Sequence, residues 1–194
     1  MPISSQTKAD VILQAALEQF AENGFHCSPI SQLAVLAEVG VGSIYRYFKD
    51  KDELIHAVFA RVDATLRSAL VQALDDSLSD RQQFVQLVTQ LMHYLRVREA
   101  EFKFLEQYYS SPYGIEKKQA KFLSGERDPR SNPFINFFTG DKRGIVKDLP
   151  LSLCLSMTFG PIIFLLRDSF AGLVQLDDTL IQQTAEACWN ALKA

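Results

Sequence analysis

The stretch from Ile30 to Leu54 constrains this chain more than any other, because it must hold a short helix, a three-residue turn, a second short helix and the start of a third. Ser28-Pro29 supplies a hydroxyl at the N-cap, followed by a proline suited to the first helical position. Ile30, Leu33, Ala34 and Ala37 then recur at helical spacing, leaving Ser31, Gln32 and Val35 on other faces. Glu38-Val39-Gly40 breaks the pattern, and Gly40 has the conformational freedom of a tight turn. From Val41 to Phe48 a second helix puts Ile44 and Phe48 on its inner side, with Val41, Gly42, Ser43, Tyr45 and Arg46 outside. Asp50 and Glu53 make a capping box for the next helix, whose first turn carries Lys51, able to meet a phosphate beside free helix N–H groups. One helix packed behind and one presented outward is the division needed to push a helix into a DNA groove.

The rest of the chain reads as helix, with no period-two alternation, so an all-α fold of about nine helices is expected. Before the turn motif, Thr7 to Asn23 stacks Leu13, Ala16, Leu17 and Phe20 on one stripe and ends at Gly24-Phe25, a left-handed stop with its hydrophobic partner. After it, Lys51 to about Leu74 carries Ile55, Val58, Phe59, Val62, Leu66 and Leu70 on one face. Ser79 with Gln82 caps a helix striped with Phe84, Leu87, Val88, Leu91, Met92 and Leu95, and Glu99 to Tyr109 follows with Phe102, Leu105, Tyr108 and Tyr109. At 194 residues a head of about 50 leaves enough chain for a second domain. The expected division is residues 1–50 and 51–194, with the long helix able to transmit movement between them.

Between Ser110 and Pro150 the composition changes: Pro112, Pro129, Pro133 and Pro150 interrupt it, and eight basic residues meet five acidic ones. There is room for one helix near Ile115 to Leu123 and another near Pro133 to Thr139. The segment reads either as a ligand portal or as a solvated connection. Leu149 to Leu166 is uncharged for 18 residues, at the lower limit for a membrane span. Pro150, Ser152, Ser156, Thr158 and the mid-run Gly160-Pro161 argue against lipid, and an amphipathic helix follows from about Asp177 to Leu192 with Ile181, Thr184, Ala185, Cys188 and Leu192 on one side. No membrane association is expected. A helix apolar all round needs cover on two sides, which a second subunit related by a twofold axis supplies.

Function classes narrow in the same way. Cys27, Cys154 and Cys188 are odd in number and widely spaced, offering neither a disulfide framework nor metal-ligand spacing, and no signal peptide precedes them, so a cytoplasmic protein is expected. His26 and His56 belong to the head region and His93 is alone on its helix, so no catalytic residue, metal site or cofactor is expected. Charge is the awkward part: residues 1–60 hold four basic side chains (Lys8, Arg46, Lys49, Lys51) against seven acidic ones, and four minus seven leaves −3. Three of those cations lie between Arg46 and Lys51, so the positive potential is local and tight binding needs two copies on one DNA site.

From Gly24-Phe25 through Ile30-Ser31-Gln32-Leu33-Ala34 to Gly42-Ser43-Ile44-Tyr45-Arg46-Tyr47-Phe48-Lys49-Asp50-Lys51-Asp52-Glu53-Leu54, the chain resembles the N-terminal DNA-binding domain of the tetracycline-repressor (TetR) family of bacterial regulators. The resemblance implies a three-helix helix-turn-helix head joined to a helical ligand-binding and dimerisation domain. It implies that Val41, Gly42, Ser43, Tyr45 and Arg46 approach base edges or sugars, that Ser31 and Gln32 flank the groove, and that Tyr47 and Lys51 hold phosphates. Phosphate contacts set register and base contacts set sequence. Two departures stand out: Glu38 where the family usually has Gly, and Gly40-Val41 where it has a polar pair. Val41 offers only apolar contact, while Arg46 is the one side chain there able to read guanine bidentately or settle on the backbone. The resemblance further implies a homodimer through the last two helices, a palindromic double-stranded operator, and a small-molecule effector that shifts the spacing of the two heads. His93, Phe102, Leu105, Tyr108, Tyr109, Phe137 and Phe159 are the candidate pocket residues, unless they merely fill the core. The lack of a charged cluster among them suggests a largely apolar compound. A ligand-independent DNA-binding adaptor whose second domain meets another protein is the alternative.

Overall fold

The computed structural model describes residues 7–75, 77–115, 133–140 and 144–194. Among them lie nine α-helices and no strand: α1 (Lys8–Asn23), α2 (Ile30–Leu36), α3 (Val41–Tyr47), α4 (Lys51–Gln72), α5 (Asp80–Leu95), α6 (Glu99–Ser110), α7 (Pro133–Thr139), α8 (Leu151–Phe170) and α9 (Asp178–Leu192). The expected helix near Ile115 to Leu123, and with it most of the supposed portal, lies outside the described residues.

The chain forms two compact units. The first takes the chain up to Ala64 and again from Ala100 through α6; the second takes Thr65–Glu99 and the chain from α7 onward. Helix α6 joins the first unit because its aromatic side packs on α1. Phe104 lies 6.4 Å from Phe20 and 5.6 Å from Phe25, ring centre to ring centre, and Gln107 donates from Nε2 to the Ala21 carbonyl at 3.0 Å. Tyr108, fully buried, stacks on Phe59 of α4 at 3.9 Å. Each such aromatic contact adds about 1 kcal/mol beyond the area it buries.

Local signals set the ends of α1. Thr7 and Asp10 form a reciprocal capping box, worth about 1 kcal/mol. Gly24 stops the helix with φ 76°, its N–H on the Phe20 carbonyl, but ψ is 168°, so the chain leaves extended and not in the left-handed helical region expected. The buried face is also rotated from the expected stripe. Ile12, Ala15, Ala16, Leu17, Gln19 and Phe20 are buried, and Leu13 is only half-buried.

In the second unit, α5 and α9 pack together around Phe84, whose ring lies 5.6 Å from that of Trp189 and 5.5 Å from Phe137 of α7. Helix α8 adds a stripe of Cys154, Thr158, Ile162 and Leu166, with the Cys188 thiol of α9 against the Thr158 carbonyl. Burial pushes the Cys154 and Cys188 thiols up from their ordinary pKa. The outer side of α8 leaves Leu153, Ile163 and Phe164 exposed. By length and composition this helix could cross a membrane, although only one stripe of it meets the rest of its unit.

Candidate nucleic-acid interface

Helices α2 and α3 are each seven residues long, too short to persist alone, and are held by what they bury. Leu33 and Ala34 anchor α2, while Ile44 and Phe48 anchor α3. The entry to α2 differs from the sequence expectation. Pro29 occupies the N-cap and makes no side-chain cap bond, while Ser28, fully buried, donates its hydroxyl to the Gly24 and Gln19 carbonyls at 2.7 and 3.2 Å. A hydroxyl that finds two carbonyls at the end of α1 ties α1 to α2 and is not free to cap.

The turn also places its strain elsewhere. Gly40 has φ −73° and ψ 147°, ordinary extended backbone that any residue adopts. The left-handed residue is Glu38, at φ 52°. A side chain there costs roughly 1 kcal/mol that glycine would not. The turn remains closed through the Val39 N–H on the Ala34 carbonyl at 2.9 Å.

Helix α3 turns its other side outward. Tyr45 is 51% exposed, Val41 and Tyr47 40% each, and Gly42 and Arg46 are exposed with them; Ser43 is half-buried. A methyl on Gly42 would meet nothing within 4 Å, so no packing inside the protein requires glycine at that point of the surface. The Arg46 guanidinium lies 5.3 Å from the Tyr47 ring centre, a cation–π contact that stiffens both side chains. Ser31 and Gln32 are exposed on α2. Gln32 accepts from Gln19, a nearly completely buried glutamine of α1 that the helical stripe did not single out.

At the start of α4, Asp50 accepts the Glu53 N–H at 2.8 Å, but Glu53 reaches back to the N–H of Lys49 at 2.6 Å, one residue earlier than in the expected box. Lys51 follows, half-buried. Burial lowers its pKa, with Cys27 and Asp52 opposing that shift. Arg46, Lys49 and Lys51 fall within six residues of sequence, the first two exposed and the third half-buried.

This geometry is matched by known proteins over most of the chain. Residues 12–58 match the family described as "Bacterial regulatory proteins, tetR family", and residues 80–193 match "Tetracyclin repressor-like, C-terminal domain". The chain belongs to the TetR family. That is a family of DNA-binding transcriptional regulators and not of enzymes. An HTH-type transcriptional regulator from Haemophilus influenzae is 23% identical to this TetR-family chain over 185 residues, 95% of each protein. The match to YhgD, an HTH-type regulator of Bacillus subtilis, is 25% identical and spans half of each chain. Two solved structures share the fold. A TetR family transcription regulator from Marinobacter aquaeolei has TM-score 0.84 at 22% identity, covering 96% of this chain and 95% of that one. FadR of Bacillus subtilis, solved with stearoyl-CoA, has TM-score 0.70 at 21% identity, covering 93% and 95%.

The seven candidate pocket residues are divided between the units. Phe102, Leu105 and Tyr108 are buried in the first unit, and Tyr109 is 39% exposed there. Tyr108 belongs to that unit's aromatic core and shares a 3.1 Å hydrogen bond with His56 Nδ1. In the second unit, Phe137 packs on Phe84, Phe159 lies 5.0 Å from Phe134, and His93 is half-buried with Nδ1 3.7 Å from Asp178, a carboxylate that Arg96 also holds at 2.6 Å. Among the described residues no group of His, Cys, Asp and Glu has metal-holding geometry.

Proposed function

We propose that this TetR-family regulator is a repressor that binds a palindromic operator as a homodimer and is released by a small, largely apolar effector. The observation that carries the reading is α3, a helix anchored by Ile44 and Phe48 that leaves Val41, Gly42, Tyr45, Arg46 and Tyr47 to solvent. Val41, Gly42, Ser43, Tyr45 and Arg46 meet base edges and sugars, Ser31 and Gln32 flank the groove, and Tyr47 and Lys51 hold phosphates. Two subunits join through α8 and α9, covering Leu153, Ile163 and Phe164. Such a twofold axis sets the two heads on half-sites about one DNA turn apart.

The effector acts by differential affinity for two arrangements of the dimer. Of the candidate residues, His93, Phe137 and Phe159 of the second unit suit such an effector, two apolar rings with one polar imidazole. Support for an effector with a long apolar part also comes from FadR, the structural relative solved with stearoyl-CoA, whose acyl chain is apolar. The test is a footprint of the purified protein on the DNA flanking its own gene, repeated with a library of apolar compounds that includes long-chain acyl thioesters. Protection of a palindrome, relieved by one compound class, is the expected result. Absence of protection on any palindrome ends the repressor reading, and protection that no compound relieves favours the ligand-independent adaptor.

A further inference from the structure

Gln19 is only 3% exposed, and its Oε1 has no hydrogen-bond partner. A carboxamide in this position is a poor choice for stability, since an unpaired buried acceptor costs about 1–3 kcal/mol that leucine would avoid. Local rules broken in this way concentrate at functional positions. Among the described residues, the one side-chain bond Gln19 makes runs to α2: its Nε2 donates to Oε1 of Gln32 at 3.3 Å. Gln32 is exposed on the first turn of α2, and its own Nε2 makes no bond among the described residues. With the oxygen bonded back to α1, the NH₂ group of Gln32 is the part left without a bond on this exposed side chain.

We propose that Gln19 is a positioning residue that fixes the Gln32 carboxamide with its NH₂ group outward, making Gln32 a hydrogen-bond donor to DNA. The inference rests on the reading of Gln32 as a groove-flanking residue. A glutamine that reads adenine uses oxygen and nitrogen together, accepting from N6 and donating to N7. Here the oxygen is turned back to accept from Gln19, so the outward NH₂ group meets acceptors: a phosphate oxygen, O6 or N7 of guanine, N7 of adenine, or O4 of thymine. Gln19 thereby removes adenine from the bases that Gln32 can read bidentately.

Two measurements test this in the full-length protein. Without DNA, the side-chain amide of Gln32 is followed by nitrogen-15 relaxation in wild type, Gln19→Leu and the volume-matched Gln19→Met. Its heteronuclear NOE should fall in both variants, while the thermal midpoint stays level or rises. Unchanged Gln32 mobility overturns the proposal, whether or not the protein binds DNA.

With operator DNA, Gln32→Ala should weaken binding by about three- to tenfold per half-site, the range of one ordinary hydrogen bond. Gln19→Leu should cost the same in wild type and nothing further in the Gln32→Ala background. Equal loss in both backgrounds, with a lowered midpoint, marks a merely structural glutamine and overturns the proposal. So does Gln32→Ala with undiminished operator binding, which leaves the regulator reading intact. Methylphosphonate substitution at single phosphates, set against single base-pair changes, identifies the acceptor. Loss of the Gln32 contribution both on replacing one adenine by its 7-deaza analogue and on replacing it by purine, which lacks the N6 amino group, would show bidentate adenine reading and overturn the donor assignment.

Discussion

Helices α3 and α8 both turn apolar side chains outward, but with different company. On α3 the exposed Val41, Tyr45 and Tyr47 stand among Arg46, a glycine and two phenolic hydroxyls, with Lys49 and Lys51 following in sequence. On α8 the exposed Leu153, Ile163 and Phe164 lie in a run that has no charge from Leu149 to Leu166. The first surface mixes apolar contact with donors and cations, which suits the sugar edges, thymine methyls and phosphates of a groove. The second can lower its free energy only by excluding water against another apolar surface. Exposed apolar area alone therefore does not identify a partner; the polar groups interleaved with it do.

The largest effect that would break this contrast is expected on α8. Phe164→Glu places a carboxylate in the proposed subunit contact and should raise the dimer dissociation constant by at least about a hundredfold, read by sedimentation equilibrium, with operator affinity lost in parallel. An unchanged dimer would mean that α8 is covered by something else or by nothing. On α3, Arg46→Ala should cost roughly 1–3 kcal/mol and flatten sequence preference at one base pair of each half-site, in a binding-site selection assay. Preference left intact would assign Arg46 to the backbone. Lys51→Ala should be smaller and uniform across sequences, reducing the salt slope of binding by about one per subunit. The smallest change concerns the turn behind α3: Glu38→Gly should stabilise the fold by about 1 kcal/mol and raise the thermal midpoint by roughly 2–4 °C, with operator affinity held. A lower midpoint would show that the Glu38 side chain contributes more than its left-handed backbone costs.

The pieces legible in the sequence were those written within one helical turn. The helices of the head, their break at Glu38 to Gly40, the capping pair Ser79 and Gln82 and the amphipathic face of α9 all rest on neighbours three or four residues apart. Errors arose where a local preference met a distant competitor. Ser28 has the side chain of a helix cap, but the carbonyls at the end of α1 claim its hydroxyl. Gly40 looks like the flexible turn residue, yet the path of the chain puts the positive φ on Glu38. The stripe through Leu13 misses Gln19, because a polar residue is not read as a core position until α2 is seen closing over it. Tyr108 and Phe159 look equally able to line a pocket, and only three-dimensional packing assigns them to different units.

By itself the sequence determined an all-helical chain with a helix-turn-helix head, because hydrophobic period, caps and breakers act over a few residues and need no tertiary partner to be read. It also determined which side chains α3 would present, since burying Ile44 and Phe48 leaves the opposite face no alternative. The tertiary structure alone decided that α6 belongs with the head, that Gln19 backs Gln32, and that Glu38 carries the strain. Those outcomes depend on which surfaces meet across long stretches of chain, and the energy of such meetings is shared among residues that the sequence keeps far apart.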